Sequence, residues 1–77
     1  MKRGDVVMFT DKGRYAKWFF GQVGVIEHGP SLSKIGFEKH IRVKWIQPVP
    51  YFDRMATISD FAASKFEVAH EAQAPTK

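Results

Sequence analysis

The sequence predicts an all-β fold, a small and strongly bent antiparallel barrel of about five strands with one short helical turn before the last strand. Three observations carry that reading. Short runs of β-branched and aromatic residues alternate with turn-forming clusters, beginning with Val6-Val7-Met8-Phe9. The stretch from His40 to Ile46 alternates apolar and polar residues with the two-residue period of a half-buried strand. No segment has the length and patterning of a long amphipathic helix, and closing a sheet on itself removes the edges that so few strands would otherwise expose.

The first strand is Val6 to Phe9, set between the turn residues Gly4-Asp5 and Asp11-Lys12-Gly13. Gly13 to Phe20 reads as a long loop that is unusually aromatic, with Tyr15, Trp18, Phe19 and Phe20. Gln22 to His28 is the second strand, with Val23 and Val25 assigned to one face and Gly24 and Ile26 to the other. Gly21 and Gly24 suit a bulge or bend of the kind a small barrel needs at its corners. Gly29-Pro30-Ser31 is read as the end of that strand. Ser31 to Lys39 is a polar connection in which Leu32, Ile35 and Phe37 are the candidate anchors.

In the third strand Ile41, Val43 and Trp45 point one way and His40, Arg42 and Lys44 the other. Pro48 and Pro50 are expected to break its ladder, with Tyr51 and Phe52 resuming the pairing. Ser59 is placed as the cap of a helical turn through Asp60, Phe61, Ala62 and Ala63. Lys65 to Ala69 is the closing strand, with Phe66 and Val68 inward. The reading assigns residues 1–69 to the barrel and residues 70–77 to a C-terminal tail poor in apolar residues. The expected core is Val7, Phe9, Val23, Val25, Ile41, Val43, Trp45, Phe61, Phe66 and Val68.

A chain of 77 residues is one domain at most. Aromatic residues make up 14%, which supplies much apolar area per position where the core is small. With no cysteine, neither a disulfide framework nor a thiolate zinc site is available. Nothing resembles a secretory signal or a run of apolar residues long enough to span a bilayer, so the expectation is a soluble, cytoplasmic protein with no membrane partner. The net charge is +4, and it is uneven: residues 1–45 hold nine basic and four acidic side chains, residues 46–77 three and four. A basic N-terminal portion attracts polyanions at long range, while also being an ordinary solvated surface.

Lys2-Arg3-Gly4-Asp5-Val6-Val7 resembles the opening of KOW-type and other SH3-like barrel domains, where a Gly-Asp turn launches the first strand. Gly21-Gln22-Val23-Gly24-Val25-Ile26 is similar to their second strand, Val43-Lys44-Trp45 to their third, and Ser59-Asp60-Phe61 with Phe66-Glu67-Val68 to the helical turn and closing strand. The chain departs from the KOW pattern in placing Arg14 to Phe20 between its loop glycine and Gly21. Arg3-Gly4, Tyr15 with Trp18, Gly24-Val25 and Phe61 also resemble the peripheral SH3-like subunit of photosystem I, which implies docking on a large protein complex. Both resemblances speak to fold more than to function, because one barrel hosts many roles.

For function, the candidate surface is Arg14, Tyr15, Lys17 and Trp18 of the aromatic loop with Arg42 and Lys44 of the third strand. Aromatic faces stack on unpaired bases and neighbouring cations hold phosphates, so nucleic acid, RNA or DNA, or a nucleoprotein is the expected partner and the chain a non-catalytic binding module. The alternative is a protein-docking adaptor of a larger complex, using the same loop. A third reading is a structural piece of an assembly, with Pro48 and Pro50 guarding an exposed sheet edge. No catalytic residue, cofactor, metal or small-molecule substrate is expected. His28, His40 and His70 match no chelating spacing, and Asp53 and Asp60 have no context that would make them an acid–base pair.

Overall fold

A computed structural model describes residues 1–32 and 38–72. Five strands, β1 (Val6–Phe9), β2 (Val23–Leu32), β3 (Lys39–Tyr51), β4 (Arg54–Ala62) and β5 (Phe66–His70), form one antiparallel sheet in the order β4-β3-β2-β1-β5. A one-turn helix α1 (Ala16–Phe19) lies in the first loop, and a 3-10 turn (Ala63–Lys65) precedes β5. The all-β fold expected of the sequence is therefore present, and the arrangement is compatible with an SH3-like barrel.

The sheet curls around one core. In a flat sheet β1 and β4 would lie about 14 Å apart, with two strands between them. Yet the rings of Phe9 on β1 and Phe61 on β4 are 5.2 Å apart, and Phe9 meets Phe66 of β5 at the same 5.2 Å. Val7, Phe9, Phe19, Ile26, Ile41, Val43, Trp45, Val49 and Phe66 form the buried cluster. Burying side chains of this size is worth about 1.5–3 kcal/mol each, which is what a domain this small depends on.

The alternation in β3 holds: Ile41, Val43 and Trp45 are buried, Arg42 and Lys44 exposed. In β2 the faces are the reverse of the expected ones. Ile26 is buried, while Val23 and Val25 are only half-buried. Gly24 shares the inner face, because a Cβ there would meet Val43 Cγ1 and come within 2.8 Å of the Lys44 carbonyl oxygen. Val68 is exposed and Phe61 half-buried, so neither lies in the buried core as expected.

The strands are longer than their local signals suggest. β2 continues through Gly29-Pro30, a cis peptide bond, and its pairing with β3 resumes at Ser31 opposite His40. β3 continues past Pro48 and Pro50: the pairing with β4 jumps from Lys44 opposite Ile58 to Val49 opposite Ala56. Pro48 falls in the interruption, Pro50 is paired opposite Met55, and neither ends the strand. The helical turn expected at Ser59 is part of β4 instead, and Ser59 Oγ accepts the indole N–H of the buried Trp45 at 3.0 Å. The real turn comes later, at Ala63–Lys65.

β5 reaches His70, and the Ala72 N–H is bound by the Asp5 carboxylate at 2.7 Å, so defined structure continues past Ala69, where a tail was expected. Ile35 and Phe37, read as anchors of the connection before β3, fall outside the described residues. No helix among the described residues is long and apolar enough to cross a membrane.

Candidate functional site

The first loop is built from its base upward. Asp11 accepts the Gly13 N–H at 3.0 Å and an ion pair from Lys65 at 3.3 Å, which ties the loop entrance to the turn before β5. The Tyr15 carbonyl accepts the N–H groups of Trp18 and Phe19 at 3.1 and 3.0 Å, closing the turn of α1. Gly21, with φ of +82°, then lets the chain reverse into β2. What reads as a loop thus contains a helical turn, and that turn sorts the aromatic residues. Phe19 points into the core and stacks on Trp45 at 5.2 Å. Tyr15 and Trp18 pack against the edge of the core, and Phe20 is left 50% exposed.

A second element completes the site. The β3–β4 hairpin turns through Phe52 and Asp53, between Tyr51 and its partner Arg54. Tyr51 sits 4.9 Å from Trp18 in an edge-to-face contact, and Phe52 lies 4.9 Å from Trp18 and 4.6 Å from Tyr51. Tyr15 adds contacts to Trp18 and Tyr51 at 6.4 Å each. Lys17 Nζ stands 4.3 Å from the centre of the Trp18 ring, a cation–π contact. The outcome is an open cleft of about 430 Å³ lined by Arg14, Tyr15, Lys17, Trp18, Tyr51 and Phe52. Its lining holds two cations and four aromatic rings, and no acid.

Phe52 is the unusual member. It is 73% exposed and has a φ of 55°. A bulky residue in the left-handed region costs about 1–2 kcal/mol, and exposing a large apolar ring forgoes its burial. Glycine or asparagine at this position would avoid both costs.

Four of the six residues singled out from the sequence, Arg14, Tyr15, Lys17 and Trp18, come together here. Arg42 and Lys44 do not join them. They project from the outer face of β3, whereas Tyr15 and Trp18 pack against the inward-facing cluster. Arg42 is also engaged, its Nε donating to Asp60 Oδ1 at 3.0 Å. That hydrogen bond and the charge of Asp60 raise the pKa of the guanidinium above its ordinary value. Tyr51 and Phe52, which the sequence placed only as resumed pairing, belong to the site.

A second groove, of about 470 Å³, runs alongside β4 and shares Tyr15 and Tyr51 with the first. Among the described residues no cluster of His, Asp and Glu has the arrangement of a metal site. The chain matches no protein-family model, no curated protein and no solved structure.

Proposed function

We propose that this protein is a binding module for single-stranded nucleic acid, and that the cleft between α1 and the β3–β4 hairpin is its binding surface. The observation that carries the reading is Phe52, held exposed in a strained backbone conformation against Trp18 and Tyr51. Strain retained at an exposed aromatic residue points to a ligand that uses the ring. An unpaired base stacks on such a face for about 1–3 kcal/mol, whatever its identity. Arg14 and Lys17 on the rim supply phosphate contacts, and no acid is among the described lining residues.

The Trp18 and Phe52 rings are 4.9 Å apart and inclined at 47°, which leaves no room for a base between them. Bases are therefore expected on the outer ring faces, one at a time, and duplex ends are not. The competing reading, a protein ligand docked on the same rings, differs in its response to salt. Phosphate contacts weaken as counterions are added, whereas an apolar peptide contact changes little.

The test is an amide NMR titration of the labelled protein with short single-stranded RNA and DNA at two salt concentrations. Salt-sensitive shifts centred on Arg14 to Trp18 and on Tyr51 to Phe52 are expected. Shifts spread evenly over every basic residue, or none at low salt, would overturn the reading.

A further inference from the structure

We infer that the free edge of β4 is a self-association surface, on which a second copy of this chain adds its own β4 antiparallel to form a continuous sheet. The starting point is the strand order. Among the described residues β4 and β5 are the terminal strands, each with one neighbour, β3 and β1 respectively. Terminal strands of monomeric proteins are usually protected by charge, proline, bulges or shortness. The five-residue β5 has such protection, carrying Glu67 and His70 in exposed positions.

β4 is nine residues long. It has no charge or proline in its middle, from Met55 to Ser59, and the extra residues at its break with β3, opposite Thr57, lie on β3. Met55 and Ile58 are 56% and 49% exposed. Ile46, in the interrupted stretch of β3 alongside, is exposed as well, so apolar surface continues onto the neighbouring strand. Pro48 and Pro50, which the sequence suggested as edge guards, lie in β3, inside the sheet, and protect nothing on β4.

The charges on β4 choose the partner. Arg54 and Asp60 lie at equal distances in sequence on either side of Thr57. An antiparallel pairing centred on Thr57 therefore sets Arg54 of each copy opposite Asp60 of the other, Ala56 opposite Ile58, and Thr57 opposite itself. No like charges meet. Asp60 remains well exposed although it is bonded to Arg42, so its carboxylate has lone pairs left for a second donor. A strand of the same sequence, reversed, is thus self-complementary along this edge.

The absence of native cysteine gives a direct test. Directly opposed residues of an antiparallel pair have Cα atoms about 4.5–5.5 Å apart, inside the range a disulfide spans. Thr57→Cys should oxidise to a covalent dimer, while Glu67→Cys on β5 should stay monomeric. Sedimentation of the unmodified full chain should show a reversible monomer–dimer equilibrium. Arg54→Glu, exposed and able to fold, should weaken that equilibrium roughly tenfold by placing like charges across the edge.

A chain that sediments as a monomer at every concentration overturns the proposal. So does a dimer that resists Arg54→Glu and cross-links no faster through position 57 than through position 67. A β4 edge that captures extended peptides of other sequence without self-association overturns it too. Because Tyr15 and Tyr51 line both the cleft and the groove beside β4, nucleic-acid binding is read separately, by titration of the unmodified chain, so that either proposal can fail alone.

Discussion

The Asp5 carboxylate binds the backbone N–H of Ala72 at 2.7 Å and so joins the turn before β1 to the segment after β5. Its other oxygen, Oδ2, accepts the Lys2 N–H at 2.9 Å, while Lys2 Nζ pairs at 3.1 Å with Oδ1, the oxygen that binds Ala72. Asp5 is the one buried charged side chain among the described residues, and each of its contacts favours the ionised form. The Ala72 hydrogen bond is the largest influence and lowers its pKa, with burial opposing and Lys2 assisting.

The pH dependence follows from that direction. Asp5 has a lower pKa folded than unfolded, so the unfolded chain binds more protons across the interval between the two values. Its contribution is fully present above the ordinary value of 3.8 and disappears as the pH falls through the depressed one. Asp5→Asn should lower the urea midpoint at neutral pH and flatten the loss of stability in acid. The same variant should speed hydrogen exchange at the Ala72 amide. A midpoint unchanged at neutral pH would show that the Ala72 contact does not hold the fold.

At Gly24 β2 packs tightly against β3. An added Cβ meets Val43 Cγ1 and the Lys44 carbonyl, and the backbone oxygen cannot move aside without disturbing the ladder. Gly24→Ala should therefore destabilise by about 1–3 kcal/mol, the usual cost of overpacking. Phe19→Ala, which removes the ring stacked on Trp45, should cost about 3–5 kcal/mol. Urea unfolding of each variant measures both. Equal stability of Gly24→Ala and the parent chain would mean that the two strands can separate at no cost.

Gly24 also shows why part of the fold was hidden in the sequence. Alternation is legible where both faces carry side chains, as in β3, whose buried Ile41, Val43 and Trp45 are recognisable from their spacing. In β2 the inner face includes a glycine, so the two valines of the other face looked more apolar and drew the core to the wrong side. β4 was hidden for another reason. Arg54 to Ala62 has no regular alternation, and Ser59-Asp60 carries the local signal of a helix cap. Pairing with β3 overrides that preference, and Ser59 satisfies Trp45 instead. Ser59→Ala should leave the buried indole N–H unpaired at a cost of about 1–3 kcal/mol, readable by thermal unfolding. The aromatic loop of the site was legible from composition, but its partner hairpin was not. Phe52-Asp53 has none of the glycine or asparagine that announces a two-residue turn.

The strain at Phe52 sets stability against binding. Phe52→Gly removes the left-handed penalty and should raise stability by about 1 kcal/mol, less the entropy that glycine adds to the unfolded chain. It also removes an exposed stacking face. Loss of one stacked base corresponds to about 1–3 kcal/mol, or roughly 5- to 150-fold in affinity. A fluorescence titration beside a urea curve reads both quantities. Affinity that survives the substitution would remove Phe52 from the site.

The two groups of basic residues should separate in their salt dependence. Each phosphate held by a lysine or arginine contributes about −0.7 to the slope of log K against log salt for a single strand. Lys17→Ala should make that slope shallower by about this amount and weaken binding to all sequences alike. Its ammonium also rests against Trp18, so the indole should shift in the free protein as well. Arg42→Ala is the contrasting case. Its guanidinium faces away from the cleft and is bonded to Asp60, so removing it should leave the slope unchanged and alter only the pairing of β3 with β4. Affinities measured at three or four salt concentrations for both variants decide the matter. A slope that falls for Arg42→Ala and not for Lys17→Ala would move the phosphate-binding surface to the outer face of the sheet.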